Sequence, residues 1–145
     1  MSNTVEQFKN QLAQLSVAVL DSATVLFEDY RTAPKWPGVY VIQDTVTDSV
    51  IYVGQGSGPT GMRDRFRHHR NKALGEFVSA TGKSNGTKDV AAWRAARTTH
   101  QWKTKDWKIH VFHIHGAVDR TLAEGLAMKL FDPLCNDENY LDRLS

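Results

Sequence analysis

Apolar residues recur every three or four positions near the start of the chain, as they do along one face of an amphipathic helix. The series is Val5, Phe8, Leu12, Leu15 and Val19. Pro34 and Pro37 then interrupt any regular helix. The pattern therefore predicts a helical N-terminal extension that occupies residues 1–33.

Two short apolar runs follow the prolines and predict a β-hairpin. They cover residues 39–42 and 50–53, and the polar connection at 44–49 contains turn-forming residues. Residues 107–115 alternate between apolar and polar side chains, which predicts a third strand.

Helical patterns lie between and after these strands. Met62, Phe66, His69 and Ala73 are spaced four, three and four residues apart, and residues 121–131 form another helical stretch that ends before Pro133. We therefore predict one α+β domain over residues 1–145, with a small three-stranded antiparallel or mixed sheet that contains the hairpin and is flanked by helices. Residues 79–106 are basic and glycine-rich in part, and they read as an insertion.

The distribution of charge is more informative than the net charge of +2. Residues 61–110 contain 12 Lys and Arg against four acids, whereas the rest of the chain contains six against 12. Such a basic middle segment is typical of a surface that binds a polyanion, although a solvated basic surface without a partner explains it equally well. Trp93, Trp102 and Trp107 in or near it can stack on bases or pack in a core.

Cysteine content and hydropathy indicate the cellular location of the protein. Cys135 is the only cysteine, so the chain has no internal disulfide. The longest apolar run, at residues 15–20, is too short to span a bilayer, and the first residues lack the pattern of a secretory signal. We therefore expect a cytoplasmic protein with no membrane partner.

A series of short motifs runs through the predicted hairpin and beyond it. The motifs are Gly38-Val39-Tyr40, Tyr52-Val53-Gly54, Arg65, His69, Glu124, Pro133 and Asn136. In this order, over about two thirds of the chain, they resemble the signature of the GIY-YIG nuclease superfamily. Each tripeptide alone has little specificity, but the conjunction of all the motifs is specific.

The resemblance implies a divalent-metal-dependent DNA endonuclease that hydrolyses phosphodiester bonds. It assigns Tyr40 or Tyr52 to orienting or deprotonating the attacking water, and Arg65 to stabilising the charge on the phosphate. It assigns His69 to accepting a proton or assisting the tyrosines. Glu124 would hold one Mg²⁺ or Mn²⁺ ion.

Each of these residues also has a structural interpretation. The two tyrosines can be ordinary strand residues, and His69 shares an apolar helix face with core residues. Thr121 and Glu124 have the spacing of a capping box, which would explain the glutamate without a metal. Asn136 can equally contact substrate or hold the loop that follows the last helix.

Further basic residues are predicted to contact double-stranded DNA. They are Arg63, Arg67, Arg70 and Lys72, with Asn136 as an additional contact. The chain has little room for a separate recognition domain, so the insertion, the N-terminal helix or a homodimer would choose the cutting site. A restriction-type, phage or mobile-element, or repair-type enzyme fits these features. The alternative is a catalytically inactive nucleic-acid-binding module on the same scaffold.

Two features depart from this interpretation. Gln55 stands where many members of the superfamily carry lysine or serine, which removes a cation from beside the tyrosines. His110, His113 and His115, with Cys135, suggest a zinc site, but alternation along a strand allows at most two of these histidines to converge.

Overall fold

A computed structural model describes residues 2–57, 61–63, 65–66 and 104–135 of the chain. Its elements in chain order are α1 (Ser2–Gln14), β1 (Asp21–Leu26), a 3₁₀ helix (Phe27–Thr32), β2 (Gly38–Asp44), β3 (Val50–Gly56), a second 3₁₀ helix (Thr104–Asp106), β4 (Trp107–His113) and α2 (Ala117–Phe131). The four strands form one antiparallel sheet in the order β1-β4-β2-β3. The predicted α+β class with its hairpin is confirmed, and the sheet has four strands where the sequence predicts three.

The additional strand, β1, lies in the segment assigned to the helical extension. Helix α1 ends at Gln14, so the predicted helical series stops before Val19, and β1 pairs with β4 from Asp21 to Leu26. The β1 sequence Asp-Ser-Ala-Thr-Val-Leu has no strict alternation of apolar and polar residues, because this outer strand is only partly covered. Its conformation comes from pairing with β4, which a local pattern does not reveal.

The sheet has two covered faces, which alternate along each strand. On the first, here called the α face, α1 and α2 pack through Phe8, Leu12 and Ala123 against a cluster that includes Val39 and Val41. On the second, here called the tyrosine face, the cluster contains the following residues: Phe27, Tyr30, Tyr40, Ile42, Tyr52, Met62, Phe66, Trp107 and Cys135. Strand β2 is buried along its whole length because both faces are covered.

The register of the hairpin decides where the two motif tyrosines point. Tyr40 pairs with Gly54 and Ile42 pairs with Tyr52, so both tyrosines lie on the same face as diagonal neighbours. The register then shifts by one residue, because Ile51 is an extra residue of β3 and forms a β-bulge. The bulge takes up this residue without turning Tyr52 to the α face.

The bulge also anchors the segment that follows α2. The backbone N–H of Leu134 donates to the carbonyl of Val50 (3.1 Å), and that of Cys135 donates to the carbonyl of Ile51 (2.9 Å). These bonds tie the C-terminal end of α2 to the outer edge of β3.

Helix α2 begins four residues earlier than the predicted helix at 121–131. Gly116 is its N-cap, and the helix ends at Phe131 because Asp132 adopts a left-handed conformation (φ 44°) before Pro133. Thr121 is therefore inside the helix, and the capping box suggested for Thr121 and Glu124 is wrong. Among the described residues, no helix is long and apolar enough to cross a membrane.

Candidate active site

Tyr40 lies on β2 and is completely buried. Its ring packs edge-on against Phe66 with centroids 4.9 Å apart, and it stacks beside Tyr52 at 6.2 Å with an interplanar angle of 20°. The ring passes directly over Gly54, where a Cβ atom would lie only 2.4 Å from the Tyr40 hydroxyl oxygen. The glycine of the second motif is therefore what allows the Tyr40 hydroxyl to reach across β3.

Arg65 joins the two phenols. It lies in the helical turn after Met62, and its backbone N–H donates to the Met62 carbonyl at 3.0 Å. Its guanidinium donates hydrogen bonds to the hydroxyls of Tyr40 and Tyr52, while much of the side chain stays exposed to solvent. The neighbouring Tyr40 raises the pKa of Arg65 above its already high usual value, so this side chain is a permanent cation.

The surroundings of Tyr40 determine its protonation state. Burial, more than any other cause, raises the pKa of Tyr40 well above its usual value, and the neighbouring Tyr52 and Glu124 raise it further. The charge and hydrogen bond of Arg65 oppose this rise without reversing it. Tyr40 is therefore a neutral phenol near pH 7 and acts as a hydrogen-bond donor or acceptor.

Glu124 reaches this site from α2. It is buried, at 8% exposed, and lies close enough to Tyr40 for its negative charge to raise the pKa of that phenol. Its neighbour Ala123 packs on the α face, so Glu124 lies at the rim of the helix surface that contacts the sheet. The structure thus joins Tyr40, Tyr52 and Arg65 through hydrogen bonds, and it places Glu124 within electrostatic range of Tyr40.

Gln55 is a site residue whose contact the sequence did not predict. Its amide Nε2 donates to Glu124 Oε1 at 3.0 Å and to Thr121 Oγ1 at 3.4 Å. Gln55 follows Gly54 along β3, so its side chain points to the face opposite the tyrosines. The departure from the superfamily pattern at this position was the available signal.

Arg63, predicted to contact DNA, has an intramolecular partner. Its Nε and Nη2 atoms both donate to the carbonyl oxygen of Ala33, with the Nε bond at 2.8 Å. This half-buried guanidinium ties the helical turn to the loop before β2. Its DNA contact stays a prediction, beside this structural role.

Several predicted residues lie outside the described part of the chain, and their roles stay predictions. They are His69, Arg67, Arg70, Lys72 and Asn136, together with Trp93, Trp102 and most of the 79–106 insertion. Trp107 is described, and the structure supports core packing over base stacking for this tryptophan. The residue is completely buried and packs edge-on against Phe27 at 5.0 Å.

The histidines of the suggested zinc site are separated. His110 is buried between Thr24 (Nδ1 to Oγ1, 3.0 Å) and Gln43 (Nε2 to Oε1, 2.9 Å), whereas His113 stacks on Trp36 with centroids 5.3 Å apart. Within residues 2–57, 61–63, 65–66 and 104–135, no three His, Cys, Asp or Glu side chains are grouped to hold a metal. The described residues give the zinc alternative no support.

His110 makes stability depend on pH. Burial, and secondarily Lys108, lower the pKa of His110 to about 4 from its usual 6.5. The unfolded chain binds a proton here between pH 6.5 and 4, and the folded chain does not. The stability is therefore complete above pH 6.5, and about 3 kcal/mol is lost as the pH falls to 4.

Urea unfolding of the wild type and of His110→Gln at pH 7 and pH 4 measures this loss. The wild type should lose about 3 kcal/mol more than the variant between the two pH values, since the carboxylates titrate alike in both. Equal losses would mean that the pKa of His110 is the same in the folded and the unfolded chain.

Comparisons of the chain with protein-family models, with curated proteins and with solved structures found no match in any of the three.

Proposed function

We propose that this chain is a nuclease of the GIY-YIG type, a divalent-metal-dependent endonuclease that hydrolyses phosphodiester bonds in double-stranded DNA. The supporting observation is the hydrogen-bonded group of two phenols and one guanidinium at the outer strand of the sheet, with a buried carboxylate near enough to raise the pKa of one phenol. Tyr40, Tyr52, Arg65 and Glu124 come from β2, β3, the following helical turn and α2. A purely structural role does not require these four polar groups to share one place.

Arg65 is suited to holding the phosphate at the cut bond. Its exposed part is accessible to DNA, and the two phenol oxygens fix the direction of its guanidinium. A fixed cation stabilises the charge that develops on phosphate oxygens in the transition state, and it needs no reorganisation at that moment. We therefore assign transition-state stabilisation to Arg65.

The two tyrosines have different surroundings and hence different proposed roles. Tyr40 is completely buried and neutral, so we assign it to holding Arg65 and Tyr52 in place. Tyr52 retains 9% exposure on the same face. We assign to Tyr52 the orientation of the attacking water, through a hydrogen bond to its hydroxyl.

Glu124 is the residue that would hold Mg²⁺ or Mn²⁺. A carboxylate is the oxygen ligand that these ions prefer, and the neighbouring Gln55 is a neutral amide that adds no positive charge beside it. One protein carboxylate with waters and substrate phosphate oxygens is a usual environment for Mg²⁺. A bound ion would polarise the phosphate and lower the pKa of a bound water.

Cleavage of supercoiled plasmid tests this proposal. The wild type should nick or linearise the plasmid with Mg²⁺ and not with EDTA, and Glu124→Gln should cut at least about a hundredfold more slowly. Binding of the same DNA, measured by mobility shift, should be similar in both proteins. Glu6→Gln, which removes the same charge from an exposed position of α1, is the matched control and should cut like the wild type.

Two outcomes would contradict this proposal. If the wild type binds DNA but cuts no supercoiled, linear or branched substrate with Mg²⁺ or Mn²⁺, the chain is the inactive nucleic-acid-binding module. If it cuts and Glu124→Gln cuts at the same rate, the assigned site is wrong.

A further inference from the structure

Gln55 connects β3 to α2 at the candidate site. Its side-chain nitrogen lies within hydrogen-bond distance of two oxygens one helical turn apart, Glu124 Oε1 at 3.0 Å and Thr121 Oγ1 at 3.4 Å. One amide group therefore bridges a strand and a helix that are separated by more than 60 residues in the sequence. Both contacts restrict the same side chain, and the stronger of them is made to the carboxylate.

The bridge from Gln55 to Glu124 is made by a neutral amide. An amide N–H donates a hydrogen bond to a carboxylate and favours its charged form, but the amide has no charge of its own. A lysine at the same position would form an ion pair with Glu124 and compete with any cation for it. Gln55 thus restrains the carboxylate without placing a positive charge beside it.

The direction of the carboxylate depends on this restraint. Terminal torsions of glutamate are broad, so a single fixed oxygen strongly limits the orientations of the group. Residues that hold a metal ligand in this way contribute to metal affinity without touching the ion.

We propose that Gln55 is a positioning residue for Glu124, and that its neutral amide sets the affinity of the site for a divalent cation. The inference rests on the proposed function for the use of the cation. The coupling between Gln55 and Glu124 can be measured without any cleavage.

Two substitutions separate positioning from a general structural effect. Gln55→Met keeps the length of the side chain and removes the donor, whereas Gln55→Lys replaces the neutral donor with a cation. Both should weaken Mn²⁺ binding, measured by calorimetry, by about tenfold to a hundredfold. Their effects on the pKa of Glu124, measured by NMR of the labelled carboxyl carbon, should be opposite: Gln55→Met should raise it and Gln55→Lys should lower it.

These opposite shifts distinguish the proposal from simple destabilisation, which would move the carboxyl pKa in the same direction in both variants. Thermal unfolding shows that each variant is folded under the conditions of the titration. If Gln55→Met binds Mn²⁺ as tightly as the wild type and leaves the pKa of Glu124 unchanged, the positioning role is refuted. The nuclease proposal would stand in that case, provided that the wild type cuts DNA.

Failure of the proposed function has a different signature. A wild type that cuts no DNA, but in which the two variants shift the Glu124 pKa in opposite directions and weaken Mn²⁺ binding, would keep the Gln55 inference and refute the nuclease. A wild type that binds no Mn²⁺ would overturn the inference itself, whatever the pKa values are.

Discussion

Replacing Arg65 with alanine should lower the rate of DNA cleavage by about a thousandfold and weaken DNA binding by no more than about tenfold. The expected asymmetry arises because the guanidinium would act mainly on charge that develops in the transition state. A second cause adds to it, since the Arg65 guanidinium bonds to both tyrosine hydroxyls and fixes their positions. Without it, both phenols lose a hydrogen-bond donor. Single-turnover cleavage and mobility shift on the same plasmid fragment measure the two quantities.

Two other variants serve as controls for the Arg65→Ala result. Arg31→Ala removes the same charge from an exposed arginine that lies over the Tyr30 ring at 5.3 Å, and it should cut normally. Arg65→Lys should recover only part of the rate, because lysine restores the charge and not the planar fork that contacts two oxygens. Normal turnover by Arg65→Ala would remove this residue from the mechanism.

The second large effect is expected at a position without a side chain. Gly54→Ala should displace Tyr40, because the new Cβ would lie 2.4 Å from its hydroxyl oxygen and 2.5 Å from its Cζ atom. The ring has no space to retreat, since it is completely buried against Phe66. We expect a stability loss of about 1–3 kcal/mol from overpacking. Cleavage should fall at least about a hundredfold, since misplacing a catalytic group by about 1 Å has such an effect.

The chain offers a matched glycine for comparison. A Cβ at Gly116 would meet only the Asp119 side chain, at 3.7 Å or more, which is an ordinary contact. Gly116→Ala should therefore cut DNA like the wild type and lose at most about 1 kcal/mol from the helix N-cap. Urea unfolding and plasmid cleavage of both variants test the difference. If Gly54→Ala is as stable and active as Gly116→Ala, Tyr40 does not need its observed position.

Local patterns predicted the elements whose apolar residues form compact runs bounded by polar turns. The hairpin is such a case, since β2 and β3 carry compact apolar runs on either side of a polar turn. The start of α2 is the opposite case, because Val118 points to solvent at 81% exposure and marks no apolar face. Strand β1 likewise depends on its partner β4, which is distant in sequence.

At the candidate site, too, some features could be predicted from the sequence and others could not. The identities of Tyr40, Tyr52, Arg65 and Glu124 were predictable from the motif order, but their convergence depends on a register that contains a bulge. The link from Gln55 to Glu124 joins residues far apart in the chain, and no spacing rule predicts such a contact. The geometry of the site therefore had to come from the fold.

The bonds from Leu134 and Cys135 to the bulged part of β3 have a consequence for self-association. An uncovered outer strand can recruit a strand of another molecule through its backbone groups. Here the carbonyls of Val50 and Ile51 are already taken by the chain's own backbone, while Gln55 near the other end of β3 bonds to α2. A strand of a second copy would therefore not find these two carbonyls available, so the bulged part of β3 is protected against extension of the sheet.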